Sequence, residues 1–382
     1  MIPVGRLDGL AKVVMGQSPS GSNVNRDGQG VPLLNGPTEF TMRSPIPVQW
    51  TVVPTKLAHA GDTLFCVRGS TTGRMNIADR DYCVGRGVAA IAAHDPADAR
   101  YVYYAVSYSL PDLLAGVTGS VFPNLSSKQI SSAAIPLPSA GRRRAIAEVL
   151  GALDDKIAAN AKLEQASRDV RAVALISARV AGTESAQLGS LTAVLSRGKA
   201  PRYVEVAAGA LAVNQKCVRN GTVSLGPARF AAEMREPQLK VGDILVNSTG
   251  QGTLGRVGVW RSSAAAFADS HVTIVRFDPR LVDPWVGAEA LLAMESQIES
   301  LGEGSTGQTE LSRKALSETE VLVPTRRLQA ELGARLADLH KREQQASEES
   351  AVLSELRDTL LPHLMSGRLS VREAEAQVEE VL

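Results

Sequence analysis

The chain repeats itself once, and that repeat limits what it can fold into more than any other feature. Gly61-Asp62-Thr63-Leu64-Phe65 is followed by Arg68-Gly69-Ser70-Thr71-Thr72-Gly73-Arg74. The second half returns Gly242-Asp243-Ile244-Leu245-Val246, then Ser248-Thr249-Gly250-Gln251-Gly252-Thr253-Leu254-Gly255-Arg256. A further pair of landmarks lies beyond these. Ser120-Val121-Phe122-Pro123-Asn124-Leu125-Ser126-Ser127-Lys128 leads to Ile135-Pro136-Leu137-Pro138, and the run Ser305 to Lys314 leads to Val321-Leu322-Val323-Pro324. The copies stand roughly 180 residues apart, so the repeated unit is about half of the 382-residue chain. A two-copy repeat this long implies two similar domains, not a solenoid.

Each copy divides in the same way. Its first part is mixed α/β, with short β-like runs between glycine and proline punctuation. Thr63–Val67, Gly87–Ala92, Asp243–Val246, Arg256–Trp260 and Val272–Phe277 read as strands, and Ala99–Tyr108 and Pro284–Leu301 as helices. Its second part reads as one long helix. From Arg142 to about Ala178 there is no proline, and Ile146, Leu150, Leu153 and Ile157 recur at helical spacing, continued more weakly by Leu163, Val170 and Val173. From Arg326 the counterpart carries Leu328, Leu332, Leu336 and Leu339, then Leu353, Leu356, Leu360 and Leu364, with Pro362 and Gly367 as its stop signals.

A helix of this kind is about 54 Å long and cannot bury its stripe against one small domain. The simplest solution is that the two helices pack on each other. Antiparallel pairing sets Ile146–Ile157 beside Leu353–Leu364, strong seam against strong seam, and gives pseudo-twofold symmetry. The expected boundaries are a first domain over 1–138, a spacer helix over 139–180, a second domain over 181–324, a second spacer helix over 325–370 and a tail over 371–382. Two similar heads on a two-helix coiled-coil spacer suit a split linear target, as dimers suit spaced half-sites.

Several function classes find no support. The three cysteines, Cys66, Cys83 and Cys217, are not close enough in sequence to suggest a zinc site or a disulfide framework. The five histidines show no metal-ligand spacing. Gly302-Glu303-Gly304-Ser305-Thr306-Gly307 matches G-x-G-x-x-G formally, but it follows a helical segment and opens no βαβ unit. Gly198-Lys199 lacks the rest of a phosphate-binding loop, and no N-P-P-[YF] methyltransferase motif occurs. The opening MIPVGRLDGL has no apolar core, and no run is long and apolar enough for a membrane span, so a cytoplasmic protein is expected. With a formal net charge of +1, nucleic-acid binding would need locally clustered basic residues.

Together these residues resemble the specificity subunits of type I restriction–modification systems. Gly16-Gln17-Ser18-Pro19-Ser20-Gly21 and Gly30-Val31-Pro32-Leu33-Leu34-Asn35-Gly36-Pro37 are similar to the opening of that family's target-recognition domain. Arg68 to Arg74 is similar to its RGS…GR block, and Cys83 to Ile91 to the following strand. Asn124-Leu125-Ser126, Ile135 to Pro138 and Ile146 to Ile157 resemble its junction and first helix, and Leu356 to Gly367 its terminal segment. One departure is the run Gly141-Arg142-Arg143-Arg144, where the family often has a glutamine; Gln329 is closer to that pattern. The resemblance implies a non-catalytic chain with two target-recognition domains. Each reads half of a bipartite duplex DNA sequence, and the helices set the spacing and dock two methyltransferase subunits. It also implies that S-adenosylmethionine, ATP and Mg belong to partner subunits, which can include a motor–nuclease restriction subunit. The rivals are a fused restriction–modification polypeptide with its own nuclease or methyltransferase activity, against which the absence of a catalytic motif counts, and a coiled-coil protein–protein adaptor with two binding heads.

DNA contact is expected from polar and basic loop residues, because arginine and lysine can bridge guanine while asparagine and glutamine pair with adenine. In the first copy these are Gln17, Ser18, Ser20, Asn35, Arg68, Ser70, Thr71 and Arg74. In the second they are Arg197, Lys199, Arg202, Tyr203, Asn214, Lys216, Ser248, Thr249, Gln251 and Arg256. Each also has a plainer reading as a turn residue supporting its own loop. Arg142, Arg143 and Arg144, with Arg326 and Arg327, sit at helix starts where positive charge opposes the dipole; their recurrence in both copies points to a shared partner, a phosphate or an acidic subunit surface, and a solvated charge run is the equal alternative. Phe122, Trp260 and Trp285 read as core.

Overall fold

The computed structural model describes residues 2–41, 43–115, 124–205, 209–303 and 309–381. The landmark residues Ser120 to Pro123, including Phe122, and Gly304 to Gln308 lie outside them. The chain divides into two compact units: Met1–Asn160 with Glu349–Leu382, and Ala161–Glu348.

In the first unit the strands run in the order Ala11–Met15, Val88–Ala93, Thr63–Cys66, Met75–Ile77, each antiparallel to its neighbour. Side chains alternate between the faces of a strand, so one sheet serves two cores. Phe65, Val67, Ala89 and Ile91 pack with the helix Ala99–Ala115, whereas Leu64, Val88 and Ala90 pack against Leu34, Tyr82 and Val84. The latter come from a second sheet, ordered Val24–Asn25, Trp50–Thr51, Val31–Leu34, Tyr82–Val84, Leu57–Ala58.

The second unit holds two main sheets of its own, of six and four strands. One sheet runs Thr192–Arg197, Val272–Phe277, Ile244–Asn247, Val257–Val259 and is extended by Gly221–Val223 and Val218–Arg219. The other runs Tyr203–Val204, Arg229–Ala231, Ala210–Val213, Ala266–Ala268. Each unit contains a parallel pairing, Val31–Leu34 with Tyr82–Val84 and Ala210–Val213 with Ala266–Ala268, and the second unit has another between Gly221–Val223 and Val257–Val259.

Two long helices, Ala140–Ala181 and Arg326–Ser366, contribute to both units. In the first unit, Ile146, Leu150, Leu153 and Ile157 share a core with Leu353, Leu360 and Leu364. Arg357 Nη1 donates to Asp154 Oδ1 (2.7 Å), and Asn160 Nδ2 to Glu349 Oε2 (2.7 Å), so the contacts advance along one helix as they retreat along the other. In the second unit Leu332 and Leu336 pack with Ala174, Ala178 and Val286.

The continuation of the first stripe differs from expectation. Leu163, Val170 and Val173 are 44%, 48% and 62% exposed, while Ser167, Arg171 and Leu175 are buried. The inward positions continue at helical spacing but are filled largely by polar and small side chains, which a search for apolar residues passes over. Pro362 does not end the second helix: the chain stays helical through Ser366, held by buried Leu360, Leu364 and Met365, and stops at Gly367, whose φ of +77° favours glycine. The segment expected as a tail forms the helix Val371–Glu379, started by a capping box between Ser370 and Glu373 and anchored by buried Ala374 and Val378. Pro284–Leu301 is two helices, Pro284–Leu292 and Glu295–Ser300.

Candidate nucleic-acid interface

In the first unit, backbone hydrogen bonds fix the loops that carry the expected contacts. Gln17 N donates to Val84 O (2.8 Å) and its carbonyl accepts from Thr55 Oγ1, leaving an exposed side chain. Ser18 Oγ accepts from Arg86 N (3.3 Å), and exposed Ser20 pairs with Ser22. Asn35 is exposed and donates through Nδ2 to Gln49 Oε1 (3.1 Å). Of these, Ser18 and Asn35 line a concavity of about 480 Å³ together with Asn25, Arg26, Leu33 and Gln49.

The Arg68–Arg74 block is a series of turns. Thr72 N reaches Gly69 O (3.1 Å), Gly73 N reaches Cys66 O (2.9 Å) and Arg74 N reaches Thr71 O (3.0 Å). Gly69 and Gly73 have φ of +84° and +92°, so both are glycine for the sake of the turn. Arg68, Ser70 and Thr71 are exposed, and Arg74 donates to Phe40 O (3.2 Å). Among the described residues Arg26, Arg68 and Arg86 are exposed and form no ion pair.

The second unit treats its expected residues unevenly. Lys199, Arg202, Lys216 and Gln251 are exposed. Arg197 is committed inward, donating to Leu311 O (2.8 Å) and pairing with Glu310 (2.6 Å). Tyr203 lies under the Arg229 guanidinium at 3.7 Å, and its hydroxyl points to Asp269. Thr249 pairs with His271 (2.8 Å), and Arg256 donates to Gly252 O (2.7 Å).

Two members of that set are buried and already fully engaged. Asn214 donates to Pro227 O (2.7 Å) and accepts from Lys216 N (2.9 Å). Ser248, with no exposed surface, pairs with Thr273 Oγ1 (2.5 Å). Both support their own loops, and a base or phosphate could reach them only by breaking those bonds.

The arginines at the helix starts also separate. Arg143 grips buried Asp98 with two hydrogen bonds (2.9 and 2.5 Å) and donates to Pro138 O (3.0 Å). At the same place in the second unit, Gln329 donates to Pro324 O (2.8 Å). Arginine and glutamine thus do one job, tying each helix start to the proline five residues before it. Arg144 pairs with exposed Asp95 (3.2 Å), and Arg326 donates to Pro279 O (2.9 Å). Arg142 and Arg327 form no ion pair among the described residues.

Sequence reasoning passed over a buried polar cluster in the second unit. Arg171 contacts Glu289 and donates to Glu343 Oε2 (2.9 Å), while Arg261 Nη2 lies 3.0 Å from the same oxygen. Arg261 Nε donates to His340 Nδ1 (2.9 Å), and His340 Nε2 lies 2.8 Å from Glu289 Oε1 and 3.1 Å from Arg171 Nη1. Trp285, half-buried and not a fully enclosed core residue, stacks on that ring at 4.7 Å; Trp260 is in the core. Burial, together with the two nearby guanidiniums, pushes His340 down to about 4 despite its hydrogen bond to Glu289. Burial would raise Glu289, but the His340 hydrogen bond and the Arg171 charge outweigh it and leave it low. The only sequence signal was polar residues at inward helical positions.

Among the described residues no group of three histidine, cysteine or acidic side chains could hold a metal ion, and no helix is long and apolar enough to cross a membrane. The three cysteines are free and buried, and burial pushes the Cys217 thiol up to about 11, away from nucleophilic character.

The described residues thus form two sheet-built units with polar and basic loops, and the two long helices each contribute to both. Residues 3–166 match the type I restriction modification DNA specificity domain. Over 147 residues it is 40% identical to the "Putative type I restriction enzyme MjaX specificity subunit" of Methanocaldococcus jannaschii. That match covers 38% of this chain and 34% of the relative, so the chain spans about a third of the length of the curated relative it matches. The fold extends further. The crystal structure of the type I restriction–modification S subunit from M. genitalium superposes with a TM-score of 0.66, covering 96% of each chain at 19% identity.

Proposed function

We propose that the chain is the DNA-reading specificity subunit of a type I restriction–modification complex. Each unit reads one half of a bipartite duplex sequence. The two long helices act as the coiled-coil spacer that fixes the distance between the halves, and they dock two methyltransferase subunits. The chain performs no chemistry itself. S-adenosylmethionine, ATP and Mg belong to its partners, as does any DNA cleavage by a restriction subunit.

The observation that carries this reading is the recurrence of one sheet order in both units, one of which matches the DNA specificity family. A duplicated reader calls for two half-sites. The exposed Arg26, Arg68 and Arg86, which form no ion pair among the described residues, supply the phosphate-facing charge that a net charge of +1 conceals. Docking is supported in the second unit by an apolar groove of about 570 Å³ along the paired helices, lined by Val170, Val173, Ala174, Leu328 and Leu332. The exposed Val170 and Val173 that fail as core residues fit a partner's helix.

The test is a genome-wide map of methylated bases in the native host with and without this gene. Loss of methylation at one two-part motif with a fixed spacer is the expected result. An unchanged map in a host whose methyltransferase subunit is expressed refutes the proposal.

A further inference from the structure

We infer that Gln49 is a base-reading residue of the first unit, that its target is an adenine in the major groove, and that Asn35 is the positioning residue that aims it. This rests on the DNA-reading function proposed above and goes on to name a residue and a base.

Both amides are held by the same strand. Asn35 follows Val31–Leu34 directly, and Gln49 O accepts from Leu33 N (2.8 Å). Asn35 is wedged against the opposite loop: a Cβ on Gly85 would lie 2.2 Å from Asn35 Oδ1, and one on Gly87 would lie 2.3 Å from Asn35 O. Only glycine at both positions lets Asn35 sit there. Its Nδ2 then donates to Gln49 Oε1 at 3.1 Å, which decides which way round the glutamine amide lies. The Gln49 Nε2 donors and one Oε1 lone pair remain unused among the described residues. A donor beside an acceptor is the pair that matches adenine N7 and N6 in the major groove. A rotamer already fixed loses less entropy on binding, so the discrimination is sharper.

The surroundings suit a duplex. Ser18, Asn25 and Arg26 line the same concavity, Arg86 is exposed beside Ser18, and none of the lining residues is acidic. The second unit shows what a purely structural amide looks like at this place. Asn214 follows the matching strand Ala210–Val213, is buried, and has both ends of its amide bonded within its own loop. Asn35 instead is exposed and bonds to a second side-chain amide facing the concavity.

The experiment maps the methylated motif in the native host carrying the intact system with wild-type chain, Gln49→Ala, Gln49→Met, Gln49→Glu or Asn35→Ala. A wild-type two-part motif with a specified A·T pair in one half is the starting point. Gln49→Ala and Gln49→Met are expected to relax that single base pair, with discrimination there falling about tenfold or more, and to leave every other position unchanged. Gln49→Glu, which can only accept, is expected to shift preference there towards cytosine. Asn35→Ala should weaken discrimination at the same base pair and no other. A motif unchanged by Gln49→Ala and Gln49→Met, or methylation that falls evenly at all sites, overturns the inference. Relaxation at a different pair in Asn35→Ala overturns its positioning role. A wild-type strain with no two-part motif refutes the function itself, a separate result.

Discussion

Acidification should weaken the second unit through a single side chain, His340. Its ring is fully buried, accepts from Arg261 and lies under Trp285; burial and the Arg171 and Arg261 charges favour the neutral form and outweigh the pull of Glu289 towards the charged one. The folded value is about 4 against 6.5 for a free histidine. A group with a depressed folded value binds its proton more readily in the unfolded chain. The stability it confers is therefore complete above about pH 6.5 and is lost as the pH falls towards 4. From those two values the loss is about 2 kcal/mol at pH 5 and about 3 kcal/mol at pH 4, as orders of magnitude. Other groups must be separated from this one. Glu289 adds a loss in the same direction at lower pH, whereas Glu39, Asp62, Glu164 and Asp269, all raised chiefly by burial, act in the opposite direction. These largely cancel in a comparison with His340→Gln, which keeps a neutral polar group in place. The assay is urea unfolding followed by tryptophan fluorescence at pH 7 and pH 5, because Trp260 and Trp285 both lie in the second unit. Wild type should lose about 2 kcal/mol more than His340→Gln across that interval. Parallel losses would refute the reasoning, as would an imidazole titrating above pH 6 by NMR.

Three further outcomes follow from the packing. Arg171→Met removes the guanidinium that buried Glu289 and Glu343 share and should cost about 3–5 kcal/mol, whereas Arg168→Met, at a partly exposed pair, should cost under about 1 kcal/mol; chemical denaturation of both variants checks this. Leu150→Ala or Leu353→Ala should cost about 2–5 kcal/mol in the same assay, and Val173→Ala within about 0.5 kcal/mol unless a partner covers it. Arg143→Ala should lower stability by about 3–5 kcal/mol by stranding buried Asp98, while Arg327→Ala should leave the melting temperature unchanged within about 2 °C.

Much of the site was legible only as a list of loop residues. Adjacent arginines show the limit plainly: Arg142, Arg143 and Arg144 read alike, yet successive helix positions point about 100° apart, so Arg143 alone reaches Asp98. Asn35 and Asn214 occupy matching places after matching strands and differ completely in exposure, because one faces a side-chain amide and the other a backbone carbonyl. Ser248 and Arg197 carried the right chemistry for DNA and are committed to their own unit.

What the sequence determined by itself is whatever depends on spacing along the chain. The Gly-Asp blocks recur, alternation marks the strands around Leu64 and Ile274, and steps of three and four mark the seams Ile146–Ile157 and Leu353–Leu364. Tertiary structure alone decided how polar groups are partnered. His340 and Glu343 sit at inward helix positions and would destabilise a bare apolar seam. They are accommodated because Glu289 comes from the helix Pro284–Leu292, Arg261 from the stretch just after the strand Val257–Val259, and Arg171 from the other long helix. A hydrogen bond or ion pair needs its partner within about 3 Å, and no local pattern encodes which distant residue will arrive there.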